Sequence, residues 1–207
     1  NKFSRVLVGA DDTVYTRSEE PPAAAGFKVL FFGSFLPLHG ADVIIKAAKI
    51  LENEADIEFI LVGEGDTHDE AVKLSCELGA RNVRFSPATT FSGIAKHIAA
   101  CHVCLGIFGT TEKAARVIPN KAYQALACGR ALLTADTPAI REVLTDRENV
   151  LLCRAGDPES LAESILELKR DPELRHHIAS TGYELFKNNL TPEKIVEPML
   201  EALGIRP

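Results

Sequence analysis

The 207 residues are enough for one substantial domain and too few for two full α/β domains. Hydrophobic residues make up 46% and charged residues 25%, an ordinary globular balance, and the net charge of −6 is spread along the chain without a basic stripe. Nucleic acid and an anionic membrane surface are therefore disfavoured as partners of this segment. No apolar run approaches the roughly 20 residues that span a bilayer, and no signal-peptide pattern opens the chain. Its first residue is Asn1 rather than Met, so an upstream segment is expected. Five cysteines, an odd number at irregular spacing, argue against a disulfide framework and for a reducing, cytoplasmic setting.

Residues 1–25 carry one short apolar run, Arg5–Gly9, and then polar residues and a Pro/Ala stretch, which reads as a strand or strap followed by a linker. From Phe27 a strict alternation begins. Lys28–Phe35 is a nearly unbroken apolar strand, and Gly40–Glu54 is helical by the spacing of Val43, Ile44, Ala47, Ala48 and Leu51. Ile57–Val62 is the second strand, and His68–Leu78 a helix stopped by Gly79. Asn82–Phe85 and Val103–Phe108 are the next strands, with a helix over Ser92–Ala100 between them. Pro119–Cys128 reads as a helix, Ala131–Ala135 as a strand, Pro138–Leu144 as a short helix and Val150–Cys153 as the last strand. After Pro158 only helices follow, over Ser160–Lys169, Pro172–Asn188 and about 191–203, where Pro198 must kink or break the last. Near-continuous apolar strands alternating with helices mean an α/β fold, a doubly wound parallel sheet of about six strands covered on both faces.

In such a sheet ligands bind beyond the carboxyl ends of the strands. The stretch that stands out there is 106–129. Pro119 is suited to the first helical position, which would leave the N–H groups of Asn120, Lys121 and Ala122 facing an anion with the helix dipole behind them. Lys121 adds a full charge, and Tyr123 and Gln124 lie close enough to bond whatever the phosphate carries. The plainer reading is an ordinary strand–loop–helix with a solvated lysine. His39, where the first loop meets its helix, is read as a donor to a phosphate or sugar hydroxyl, against a loop histidine bonded to backbone. Neither Gly33–Gly40 nor Gly63–Gly65 forms a dinucleotide fingerprint, and no P-loop or G-x-S-x-G elbow is present. Cys101 and Cys104 have C-x-x-C spacing but end a helix rather than open one, so alternating burial explains them better than metal or redox use. His176 and His177 read as a solvated helix face. Glu64, Asp66, Glu112 and Asp136 sit at the sheet mouth without a pairing that one-dimensional spacing can establish.

Phe32-Gly33…His39-Gly40, Leu61-Val-Gly-Glu-Gly65, Pro119–Gly129 with Arg130–Thr134, Ile140–Leu144 and Asp157–Leu161 together resemble the C-terminal, donor-binding domain of GT-B fold glycosyltransferases of the retaining family 4 type. The resemblance covers roughly the last 180 residues. It implies a Rossmann-like half of a GT-B fold divided into an interdomain linker or strap (1–25), a nucleotide-sugar binding domain (26–190) and a helix (191–207) that packs on an absent N-terminal acceptor domain. The implied chemistry is transfer of a sugar from a nucleotide-diphosphate sugar to a polysaccharide, glycolipid or similar acceptor with retention, with no divalent metal and no cofactor beyond the donor itself. Any membrane contact would come through the absent domain, at the inner face of the membrane, and this chain alone would not turn over. The donor-binding residues so implied are Gly33, Ser34, His39, Gly40, Arg116, Asn120, Lys121 and Gln124.

The chain also departs from that pattern. Ser34 stands where the family has an Arg beside the first glycine, and His39 where it has a Lys before the second. Of the family's two glutamates eight positions apart, the second is Gln124 and the first is Arg116. A Pro-x-Lys-x-Tyr-Glu/Gln variant is familiar in the family, and Arg116 with Lys121 is the expected replacement for the missing charge. A non-catalytic nucleotide-sugar-binding module and a GT-B type nucleotide-sugar epimerase are the other readings.

Overall fold

The computed structural model describes residues 6–22 and 26–202. Residues 1–5, 23–25 and 203–207 lie outside the described residues, so the expected run at Arg5–Gly9 is seen only from Val6 onward, and there it forms no strand.

Six parallel strands make one sheet: β1 (Phe27–Phe32), β2 (Ile57–Val62), β3 (Val83–Ser86), β4 (Val103–Leu105), β5 (Ala131–Ala135) and β6 (Leu151–Cys153), in the order β3-β2-β1-β4-β5-β6. The helices are α1 (Ala41–Ile50), α2 (His68–Leu78), α3 (Phe91–Ala99), α4 (Glu112–Arg116), α5 (Asn120–Ala127), α6 (Pro138–Arg141), α7 (Pro158–Arg170), α8 (Pro172–Asn189) and α9 (Pro192–Ala202). The doubly wound sheet and the closing run of helices are thus as the sequence predicts.

Strand β1 shows why these segments carry so little polarity. Phe27, Val29 and Phe31 pack into the layer under α1 and α7, with Ile44, Leu61 and Ile165, while Leu30 and Phe32 pack into the opposite layer with Ile98, Leu126 and Phe186. Successive side chains of a strand point to opposite faces, and here both faces are core.

Several boundaries differ from the sequence reading. β1 ends at Phe32 rather than Phe35 because Gly33, at φ +133°, turns the chain out of the sheet. β4 ends at Leu105 rather than Phe108. Beyond it the Ile107 carbonyl still accepts from the Ala135 N–H (3.1 Å), but the Ile107 N–H donates to the Thr134 hydroxyl (3.1 Å) rather than to a strand carbonyl. The stretch expected to be loop between β4 and Pro119 contains α4, started by the Thr111 hydroxyl accepting from the Ala114 N–H. α9 runs unbroken through Pro198.

The described part of the strap, residues 6–22, is docked on the sheet and helices through Tyr15 and Ser18–Glu20. Backbone N–H groups of Val14 and Tyr15 close a turn on the Asp11 carbonyl, and Ser18 N–H donates to the Cys128 carbonyl. Arg130, 2% exposed, donates to carbonyls of Ser18, Glu19, Ile98, Ala99 and Gly129 and to the Ser18 hydroxyl. Arg175 holds Glu20 through both carboxylate oxygens and lies 5.3 Å from the Phe27 ring centre.

Candidate functional site

A cleft of about 670 Å³ opens beyond the carboxyl ends of β1, β2 and β4, a volume within the range usual for ligand sites. One wall is the turn after β1, with Gly33, Ser34 and His39. The facing wall is the start of α5, with Pro119, Asn120, Lys121 and Gln124. Six of the eight candidate positions therefore share one cleft. The other two do not line it. Gly40, at φ +65°, is pressed under the loop after β4, where an added Cβ would lie 2.7 Å from the Gly109 nitrogen. Arg116 is 71% exposed and paired with Glu112 on the outer side of α4, and the cation that α4 turns toward the cleft is Lys113.

The helix start differs from the expectation in one respect. Pro119 is the capping residue in extended conformation (φ −71°, ψ 148°), one place earlier than predicted, and its carbonyl accepts the Ala122 N–H at 2.9 Å. The N–H groups left over by helix geometry are those of Asn120 and Lys121. They share the positive end of α5, which favours a bound anion.

Lys121 is the unusual group. It is 5% exposed, and its Nζ is buried without a hydrogen-bond partner. The ammonium position lies 3.9 Å from the centre of the Phe31 ring, the face where a cation is attracted. Gly33 makes room for it: a Cβ there would come within 3.3 Å of Nζ and 3.7 Å of the His39 ring. Burial pulls the Lys121 pKa well below its usual value, because a charge in this position loses its hydration without a counter-charge. A buried amine without a hydrogen-bond partner costs stability.

His39 is also buried. Its Nδ1 lies 3.5 Å from the Leu36 N–H, and burial, with the neighbouring Lys121 charge, lowers its pKa to about 3. At neutral pH His39 is therefore uncharged, a hydrogen-bonding group rather than a substitute cation. The backbone around it is tightly fitted: a Cβ on Gly63, at φ +135°, would sit 2.1 Å from the Gly33 carbonyl oxygen.

At the far end of the cleft Gln124 Nε2 donates to the Tyr15 hydroxyl at 2.9 Å. Tyr15, Lys113 and the exposed Phe91 are wall residues that sequence reasoning missed. Only Lys113, three residues from Arg116 on a loop already singled out, carried a local signal. Of the acids at the sheet mouth, Glu64 lines the cleft, whereas Glu112 is engaged by Arg116 and Asp136 by Arg141. Cys101 and Cys104 are buried free thiols with Sγ atoms 3.5 Å apart, packed beneath the sheet and away from the cleft walls. His176 and His177 are exposed and face Glu20 and Glu148.

Residues 26–171 match the sequence profile of the family described as glycosyl transferases group 1. The chain belongs to that family. An uncharacterised glycosyltransferase of Methanocaldococcus jannaschii is 27% identical over 167 residues, 81% of this chain and 45% of the relative. The phosphatidyl-myo-inositol mannosyltransferase of Mycobacterium leprae is 28% identical over 162 residues, 77% of this chain and 41% of its own. Among solved structures, Anabaena HepE in complex with UDP and glucose superimposes with a TM-score of 0.82 at 21% identity, over 96% of this chain and 56% of that one. The C-terminal domain of the group 1 protein LpcC of Francisella tularensis gives 0.74 at 20% identity, over 89% of this chain and all of that domain. This glycosyltransferase domain is thus the C-terminal, Rossmann-like half of a GT-B fold, and it spans about half the length of the curated relatives it matches. Within the described residues no helix is long and apolar enough to cross a membrane.

Proposed function

We propose that the cleft holds the nucleoside diphosphate of a sugar donor, and that the whole protein transfers the sugar to an acceptor with retention. The observation that carries this reading is the buried, unpaired Lys121 amine beside the two free N–H groups at the start of α5. Preorganised donors and a cation in a site poor in water are what stabilise a departing diphosphate. The curated relatives named above are glycosyltransferases, and the Anabaena neighbour was solved with UDP, which supports UDP as the first nucleotide to try.

In this reading Lys121 supplies the charge that Ser34 and His39 do not. Its Nζ reaches the space between Gly33 and His39 from the opposite wall, so the positive group is kept while its position in the sequence changes. Gly33, Ser34 and the neutral His39 border the diphosphate, Asn120 and Lys121 bond it, and Gln124 meets the ribose. Arg116 has no part in it. The acceptor is a polysaccharide, a glycolipid or a similar molecule, held by the half of the enzyme that precedes this domain.

Titration calorimetry of the full-length protein with UDP, GDP and ADP tests the reading. One nucleoside diphosphate is expected to bind, and Lys121→Met to weaken that binding sharply in a protein that remains folded. Unchanged affinity in Lys121→Met would end the proposal. The outward pairing of Arg116 with Glu112, at a position where the family has an acid, favours a non-catalytic module as the second reading. Donor binding without sugar transfer or donor hydrolysis would select it.

A further inference from the structure

Tyr15 lies outside the family match, which begins at residue 26, yet its side chain forms part of the cleft wall. We propose that Tyr15 is a positioning residue of the donor site: its phenol oxygen accepts from Gln124 Nε2 and so turns the Gln124 carbonyl oxygen, together with its own O–H, toward the nucleoside's ribose. The proposal rests on the reading of the cleft as a nucleoside diphosphate site.

Three observations support it. First, the contact is long-range and sheltered. The two residues are 109 positions apart, the Gln124–Tyr15 distance is 2.9 Å, and Tyr15 is 4% exposed with its ring in the layer that holds Leu126 and Phe186. Second, the strap is clamped on both sides of Tyr15. The Asp11 turn precedes it, with the Asp11 carboxylate accepting from the N–H and hydroxyl of Thr13, and Arg130 and Arg175 grip Ser18, Glu19 and Glu20 after it. Third, an amide has one accepting and one donating end. With one N–H engaged by the phenol, which fixes the orientation of the amide, the carbonyl oxygen is left to accept from a ligand, and the phenol hydrogen is left to donate. An acceptor beside a donor matches a pair of neighbouring hydroxyls, each of which both gives and takes a hydrogen bond.

Spacing agrees with this. Lys121 and Gln124 are three residues apart on one helix face, about 5–6 Å between side-chain origins, the scale that separates a phosphate from the ribose carrying it. A glutamate at 124 would fill its acceptor sites with whatever donor is near, including the Tyr15 O–H. Glutamine makes the pair directional, and the phenol sets the direction.

Tyr15→Phe removes one oxygen and leaves the ring in its core. In the full-length protein, calorimetry would compare UDP, GDP and ADP, the 2′-deoxy and 3′-deoxy analogues of whichever binds, and inorganic pyrophosphate. The expected result is a loss of about tenfold for the ribonucleotide, a smaller loss for at least one deoxy analogue and none for pyrophosphate. Equal losses for ribonucleotide and pyrophosphate would mean general loosening of the strap, and an unchanged ribonucleotide affinity would mean an idle contact; either overturns the role given to Tyr15 while leaving the diphosphate site intact. A wild-type protein that binds none of the nucleotides overturns the donor-site reading and this proposal with it. If Tyr15→Phe does not fold, Tyr15→Met removes the phenol oxygen, keeps an apolar side chain in the core and leaves Gln124 in place, and is held to the same pattern.

Discussion

The start of α5 and the turn that follows its end each carry a cation in the protein interior, and they treat it in opposite ways. At the carboxyl end Arg130 spends its guanidinium on main-chain carbonyls and the Ser18 hydroxyl, tying the end of α3, the end of α5 and the strap together. At the amino end Lys121 is as deeply buried and is bonded to nothing. A charge moved out of water must recover its lost hydration from partners, so the first arrangement is satisfied within the protein and the second leaves its amine uncompensated. Burial alone does not tell a satisfied cation from an uncompensated one. The partner count does.

The largest effect expected from breaking this contrast is at Arg130. Arg130→Met should cost about 3 kcal/mol or more, because several buried carbonyls lose their donor at once. Chemical denaturation would measure it, and proteolysis within residues 6–22 should accelerate as the strap is released. An unfolding midpoint like that of the wild type would show that water replaces the guanidinium.

Lys121→Met should do the reverse. Folding stability should be unchanged or raised by about 1 kcal/mol as a desolvated amine is replaced by an apolar chain. Diphosphate affinity should fall by about 2–3 kcal/mol, the value of hydrogen bonds to a charged group. The depressed Lys121 pKa adds a signature: an arriving anion favours the charged form, so wild-type binding at pH values above that depressed pKa should take up protons and the variant should not. Calorimetry in buffers of different ionisation heat reads this directly, and equal proton uptake by both proteins would remove Lys121 from the explanation.

His39 sharpens the comparison from the other wall. Its folded pKa of about 3 lies below the ordinary 6.5, so the unfolded chain binds the extra proton and stability is lost as pH falls through that window. For a single proton the slope reaches about 1.4 kcal/mol per pH unit. His39→Gln should flatten the stability profile by that amount between roughly pH 6 and pH 4, and a slope identical to wild type would show that His39 is protonated in the native state. Smallest of all is Arg116→Ala. The Glu112 pair is exposed, so stability should change by less than about 0.5 kcal/mol and nucleotide affinity not at all.

Much of this was legible in one dimension. Apolar runs with a period of neither 2 nor 3.6, such as Val29–Phe32 and Phe59–Val62, mark strands buried on both faces, and the glycines and prolines between them mark the mouth of the sheet. That pattern alone puts Gly33, His39, Asn120, Lys121 and Gln124 at one end of the sheet. It did not separate Lys113 from Arg116, because a five-residue helix where a loop was expected decides which of the two points inward.

Periodicity is a local property, and the sequence by itself determined what depends on it: the alternation of strands and helices, the parallel sheet and the neighbourhood of the cleft. Tertiary structure alone decided the state of the charges, since desolvation and hydrogen-bond partners come from residues far away along the chain. Lys121 became an unpaired amine over Phe31, Arg130 a fully bonded clamp, and Tyr15 the partner of Gln124, each through contacts that no window of the sequence contains.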